Sequence, residues 1–131
     1  PFEESDDVRR ALDAVEIDHI QMVAPSTPED RAQAIGGASR GFLYVVARYG
    51  TTGTRGGLPE DLQERLKIFR KATALPIAVG FGVSTPDHVR ALARMGADGI
   101  VVGSAIVRTI AADPRPEAVE AFVRTLTSAL Y

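Results

Sequence analysis

Two glycine turns carry the residues of this chain that could do chemistry. Gly80-Phe81-Gly82 follows the apolar run Pro-Ile-Ala-Val at 76–79, and Gly103-Ser104 follows Gly-Ile-Val-Val at 99–102. Each run is short and rich in β-branched residues, as a buried parallel strand is. Each turn leads into a helix. Glycine lets a backbone approach a ligand closely. A helix N-terminus presents free N–H groups and the positive end of a dipole, which suits a phosphate. Two such turns on neighbouring strands would converge on one anion. Read singly, either glycine motif also fits a plain tight turn.

The other titratable residues offer less. The chain has no cysteine, so thiolate chemistry and disulfides are excluded, and only two histidines, His19 and His88, so a histidine-rich metal site is excluded as well. His19 opens a strand and reads as structural. His88 falls in the first turn of a helix and reads as solvated. Asp18 and Asp98 precede strands, on the stability side of a parallel barrel. Glu29, Asp30, Glu60, Asp61 and Asp87 sit at helix starts, where acids complement the dipole.

The elements that must position these turns recur through the chain. Pro28-Glu29, Pro59-Glu60, Pro86-Asp87 and Pro116-Glu117 each open a helical pattern, roughly 30 residues apart, and Pro1-Phe2-Glu3 is a looser fifth member. Apolar runs lie between them. Strand and helix alternating at this period predict stacked βα units on a parallel sheet. Strands are expected at 19–24, 42–47, 76–79 and 99–102. Helices are expected over 1–15 (stripe Val8, Leu12, Val15), from a Thr27 cap to Ile35 with Gly36-Gly37 ending it, and over 59–73 (Leu62, Leu66, Phe69). Three more are expected: one from a Thr85 cap to Gly96 (Val89, Leu92, Ala93), one over 104–112, and one from 116 to Leu130 with Val119, Phe122, Val123 and Leu126 buried. The glycine- and threonine-rich segment 48–57 reads as either a lid or a mobile loop.

The whole suggests one domain, residues 1–131, of ordinary globular composition: 45% hydrophobic and 24% charged. A net charge of −2 implies neither a nucleic-acid nor a membrane surface. No run approaches membrane-spanning length and the first residues lack a basic-then-apolar pattern, so a cytoplasmic location is expected. The first residue is proline, and a piece of something longer is expected.

Three segments together resemble one family. Gly-Phe-Gly-Val-Ser-Thr-Pro (80–86), Asp-Gly-Ile-Val-Val-Gly-Ser-Ala-Ile-Val (98–107) and Tyr-Val-Val-Ala-Arg-Tyr-Gly-Thr-Thr-Gly-Thr-Arg (44–55) are similar to the tryptophan synthase α chain, as is the opening Pro-Phe-Glu-Glu-Ser. The resemblance implies an α/β fold, the second half of a TIM (β/α)₈ barrel with about four βα units. It implies a lyase that cleaves indole-3-glycerol phosphate to indole and glyceraldehyde 3-phosphate in tryptophan biosynthesis, without metal or cofactor. By position, Gly53, Gly82, Gly103 and Ser104 would bind phosphate, Phe81 and Tyr44 would line the indole and glycerol region, and Thr52 would sit on the closing loop. Thr51 stands where that family carries an aliphatic residue.

The family's two catalytic carboxylates belong to its first half, and nothing here corresponds to them. No catalytic residue is therefore expected in this chain. The partners implied are a small phosphate substrate, a tryptophan synthase β chain, and the first half of the barrel or a second copy; neither nucleic acid nor membrane is among them. A non-catalytic phosphate-binding half-barrel and a sugar-phosphate isomerase- or epimerase-type barrel are the alternatives.

Overall fold

The computed structural model describes residues 2–47, 58, 61–80 and 82–131. Four short strands, β1 (Gln21–Val23), β2 (Leu43–Val46), β3 (Ile77–Gly80) and β4 (Gly99–Val101), form one sheet in the order β1-β2-β3-β4 with every pairing parallel. They alternate with helices α1 (Asp6–Asp13), α2 (Glu29–Ala38), α3 (Leu62–Ala72), α4 (Pro86–Arg94), α5 (Ser104–Ala112) and α6 (Pro116–Thr127). Short 3₁₀ turns at Phe2–Glu4 and Ser128–Leu130 flank the set. This is half of a (β/α)₈ barrel.

Side chains alternate across the strands as the pleat requires. Val23, Leu43, Val45, Ile77 and Val79 face the helices and are buried there with Ile35 of α2, Leu62, Leu66 and Phe69 of α3, and Val89 and Leu92 of α4. Phe69 is fully buried, which contributes roughly 2–3 kcal/mol to the core. The opposite sheet face carries Met22, Tyr44, Ala78 and Val101; Met22 is 61% exposed.

The proline rule places the helix starts. Pro86 and Pro116 stand in the first turns of α4 and α6, and Pro28 immediately precedes α2. Thr85 caps α4 as expected, accepting the His88 N–H at 3.3 Å. Gly96, at φ +94°, ends that segment in the left-handed region.

Five local expectations are corrected. Thr27 does not cap α2; its hydroxyl turns back to accept the Ala24 N–H at 3.0 Å. Gly36-Gly37 do not end α2, which runs through both to Ala38. Gly36 instead brings α2 against the end of α3, where a Cβ would stand 2.9 Å from the Ala72 carbonyl. The N-terminal helix is not continuous over 1–15: the 3₁₀ turn stops at Ser5, and α1 runs only to Asp13. The stripe of α6 is not all buried; Leu126 is, but Val123 is exposed. His88 is not simply solvated; it is half-buried, its Nδ1 accepts the Ser84 N–H at 3.4 Å, and burial pushes its imidazole down against the opposing pull of Asp87.

Candidate functional site

The site grows from the C-terminal ends of β3 and β4. These strands are paired neighbours, so the turns that follow them share one rim of the sheet. After β3, Gly82 lies exposed at φ +79°, a backbone state that an L side chain adopts only with strain. After β4, Gly103 leads into α5, and a Cβ built on it would meet nothing within 4 Å. Gly103 and Ser104 are both exposed.

The N-terminus of α5 is unusual in its charge. No side chain caps it, and no acid lies in its first turn. α1, α2, α4 and α6 each carry at least one acid there. The first helical bond of α5 runs from the Val107 N–H to the Gly103 carbonyl at 3.1 Å. The N–H groups before Val107 therefore have no helical acceptor of their own. Free donors, an unneutralised dipole and open space above Gly103 make this an anion-receptive point.

Tyr44 approaches from β2. It shares the helix-free sheet face, and its phenol oxygen lies 2.8 Å from where a Gly80 Cβ would stand. The Val101 Cβ is 2.7 Å from the same point. Val101 is thus a part of the site floor that sequence reasoning did not single out, and Gly80, read in the sequence as a turn glycine, belongs to β3 and to that floor. The signal for Val101 is the strand register, which pairs Val46 with Gly80 and Gly80 with Val101. The structure brings Tyr44 to the β3 end and sets Gly82, Gly103 and Ser104 on the shared rim. Thr52, Gly53, Phe81 and the candidate lid 48–57 lie outside the described residues.

Asp98 and His19 stand at the other end of the sheet, before β4 and β1. Asp98, at the N-terminal end of β4, accepts the Ile77 N–H at 2.8 Å and is paired with Arg70, while its own N–H donates to the Ile77 carbonyl at 2.9 Å. The Ile77 bond first and the Arg70 guanidinium second hold its carboxyl below the usual range. It straps β4 to β3, as a residue on the stability side should. His19 is likewise in a structural network: its Nδ1 lies 3.2 Å from Gln21 Nε2. The Gln21 N–H donates to Ser39 Oγ at 3.1 Å. Among the described residues, no three His, Asp or Glu side chains gather closely enough to hold a metal ion, and no helix is long and apolar enough to cross a membrane.

The geometry agrees with what the chain is similar to. A family model described as tryptophan synthase alpha chain matches residues 1–129. The tryptophan synthase alpha chain of Arabidopsis thaliana is 41% identical, over 99% of this chain and 49% of its own length. That of Methanopyrus kandleri is 46% identical, over 84% of this chain and 40% of its own. Among solved structures, the tryptophan synthase α2β2 complex of Pyrococcus furiosus superposes at a TM-score of 0.82 with 35% identity, covering 99% of this chain and 52% of that one. The chain spans about half the length of the relatives it matches. With a matching model over nearly all of its residues and the same parallel half-barrel in its neighbours, the chain belongs to the tryptophan synthase alpha chain family.

Proposed function

We propose that this chain supplies the phosphate-binding half of a lyase site that cleaves indole-3-glycerol phosphate to indole and glyceraldehyde 3-phosphate. The observation that carries the reading is the uncapped, acid-free start of α5 at Gly103-Ser104, on the rim it shares with Gly82. In this reading the backbone N–H groups at Gly82, Gly103 and Ser104, with Gly53 from the loop after β2, hold the phosphate. Tyr44 and Phe81 wall the indole and glycerol region, and Thr52 belongs to the loop that closes over it. A tryptophan synthase β chain, receiving the indole, is the macromolecular partner, and the cytoplasm is the compartment.

The cleavage needs an acid to protonate the indole ring carbon and a base to take a hydroxyl proton as the carbon–carbon bond breaks. Each proton transfer is worth typically ~10²–10⁴-fold in rate. Asp98 and Asp87 support neither role. Asp98 is tied to Ile77 and Arg70, and Asp87 is paired with Arg90 on the surface of α4. The catalytic carboxylates belong, on this reading, to the other half of the barrel.

The test is indole release from indole-3-glycerol phosphate. The expected result is none from the 131-residue chain alone and restored release when a separately produced first half-barrel of a relative is added. Release from this chain alone, surviving removal of host enzyme, would overturn the division of labour. A phosphate-binding half-barrel with no catalytic partner is the second reading; failure of every first half to restore release, with phosphate binding intact, would favour it.

A further inference from the structure

The turn that carries Gly82 is tied down by a histidine. Thr85 caps α4, and His88 stands three residues further on. The Thr85 hydroxyl accepts the His88 N–H at 3.3 Å, and His88 Nδ1 reaches back to accept the Ser84 N–H at 3.4 Å. This is the reciprocal pattern of a capping box, in which the third helical residue is ordinarily Glu or Gln and returns a bond to the chain before the helix. Here the return bond goes to Ser84, one residue before the cap, and the acceptor is an imidazole.

The exchange of acceptor changes the physics. A Gln oxygen accepts at every pH, whereas an imidazole nitrogen accepts only while it carries no proton. Facing the Ser84 N–H, Nδ1 is bare and the ring proton sits on Nε2. Protonated, Nδ1 would be a donor set against a donor. Histidine is the side chain whose ordinary titration places that change near neutral pH. Burial disfavours the charged ring, and Asp87 pulls the other way. The folded chain therefore favours the neutral ring. The box is intact above the ordinary imidazole value near ~6.5 and is lost as the pH falls through the lower folded one.

The charges around this helix start are few among the described residues. Asp87 and Arg90, on α4 itself, are paired with each other. From α5, Arg108 lines the same small cavity as Ser84. α6 turns Glu117, Glu120 and Arg124 to a separate surface hollow. Asp98, before β4, is held by Arg70 at the other end of the sheet. The turn Ser128–Leu130, which also packs on α4, carries no charged side chain.

What the box holds is the link between β3 and the anion-receptive rim. Gly82, at φ +79°, lies two residues before Ser84. Val83 between them is buried and anchors the turn from the core side at any pH. His88 supplies the polar hold. The cavity at Ser84 is closed on its other side by Ala105, Arg108 and Thr109, so the turn lies against α5 close to its Gly103-Ser104 start.

We infer that His88 is a positioning residue for the anion site: its neutral ring, through the Ser84 N–H, holds the Gly82 turn against the start of α5, and protonation releases that turn. The inference rests on the proposed reading of Gly82, Gly103 and Ser104 as a phosphate site.

The experiment measures sulfate binding by amide shifts at Gly103 and Ser104, between about pH 5 and about pH 8. Sulfate keeps its double charge over that range, which a phosphate ester does not. The 131-residue chain is compared with His88→Gln and His88→Ala, with circular dichroism to verify folding. Without ligand, the Ser84 amide of the parent should titrate with the His88 ring. Sulfate affinity of the parent should fall about threefold to tenfold towards the acid end, the usual worth of one hydrogen bond. His88→Gln should match the parent at the upper pH and keep that affinity at the lower. His88→Ala should bind at the parent's acid-end level throughout. A Ser84 amide indifferent to the His88 titration, affinity that rises on acidification, parent-like binding by His88→Ala, or a pH dependence that survives in His88→Gln would each overturn the inference and leave the phosphate site standing. Parent amides at Gly103 and Ser104 that ignore sulfate at every pH would remove the site and the inference together. If His88→Ala unfolds, the parent and His88→Gln still decide.

Discussion

The phenol of Tyr44 reaches across the end of β3 to stand over Gly80, its oxygen 2.8 Å from the position a Cβ would take there. β2 and β3 pair with Tyr44 opposite Ala78, so the ring slants along the strand to the next inward position. The site floor is therefore built from an aromatic side chain and the absence of one. Gly80→Ala should destabilise the fold by about 1–3 kcal/mol, the usual range for overpacking. Tyr44→Phe should not rescue it, because the Val101 carbonyl, 2.9 Å from the same point, is backbone and cannot swing aside. Urea midpoints of the two single variants and the double variant decide this; full rescue in the double would place the strain on the phenol alone.

Adjacent glycines in α2 should respond with opposite signs. Gly37 has nothing within 4 Å of an added Cβ, so Gly37→Ala should gain up to about 1 kcal/mol of helix stability. Gly36 would meet the Ala72 carbonyl at 2.9 Å and the Thr73 Cβ at 3.2 Å. Gly36→Ala should cost more in separation of α2 from α3 than it gains in propensity, a net loss of about 1–2 kcal/mol. Thermal unfolding of the pair measures both, and a gain at Gly36 would show that the two helices part freely.

Asp98 should make the fold acid-sensitive. Its folded carboxyl is held low, by the Ile77 N–H first and Arg70 second. A depressed pKa means the folded state favours the charged form. That stability is fully present above the unfolded carboxylate value near ~4 and is lost as pH falls through the lower folded value. Asp98→Asn keeps an oxygen for Ile77 and removes the charge. The gap between parent and variant should be widest near neutral pH and should close as the pH falls below the unfolded carboxylate value and through the lower folded one. A gap that is unchanged down to the acid limb would assign the bond to Ile77 a charge-independent role.

Gly103→Asp should separate binding from folding. The position already serves as the residue before α5, at φ −115° and with open space around it. Aspartate is a favoured residue at that position, worth a few tenths of a kcal/mol (~0.3) over glycine. The same carboxylate would occupy and repel the anion. Titration with glycerol phosphate, followed by amide shifts, should move the Gly103 and Ser104 signals in the parent and leave the variant's neighbouring amides still, while its melting temperature holds or rises. Parent amides that stay put at millimolar ligand would remove the phosphate site.

What the sequence by itself determined is local. Pro86 and Pro116 start helices because the ring pre-sets φ and needs no donor in a first turn. The β-branched runs become strands, and Gly103-Ser104 opens α5 where the glycine turn indicated. Asp98 could be set aside as a catalyst from its place before a strand. Tyr44 entered the site only through the family resemblance, since nothing in its neighbours' spacing marks a binding residue. What only the tertiary structure decided are the relations across elements. Gly36 looks like a helix stop until α3 is seen beside it. Gly80 looks like one more turn glycine until the register sets it between Val46 and Val101 and beneath Tyr44. Val8 and Val123 sit on apolar stripes that periodicity assigns to a core, yet both are exposed. Periodicity records which face of a helix is apolar. Whether anything covers that face depends on what packs beside β1 and β4, the end strands of the sheet among the described residues.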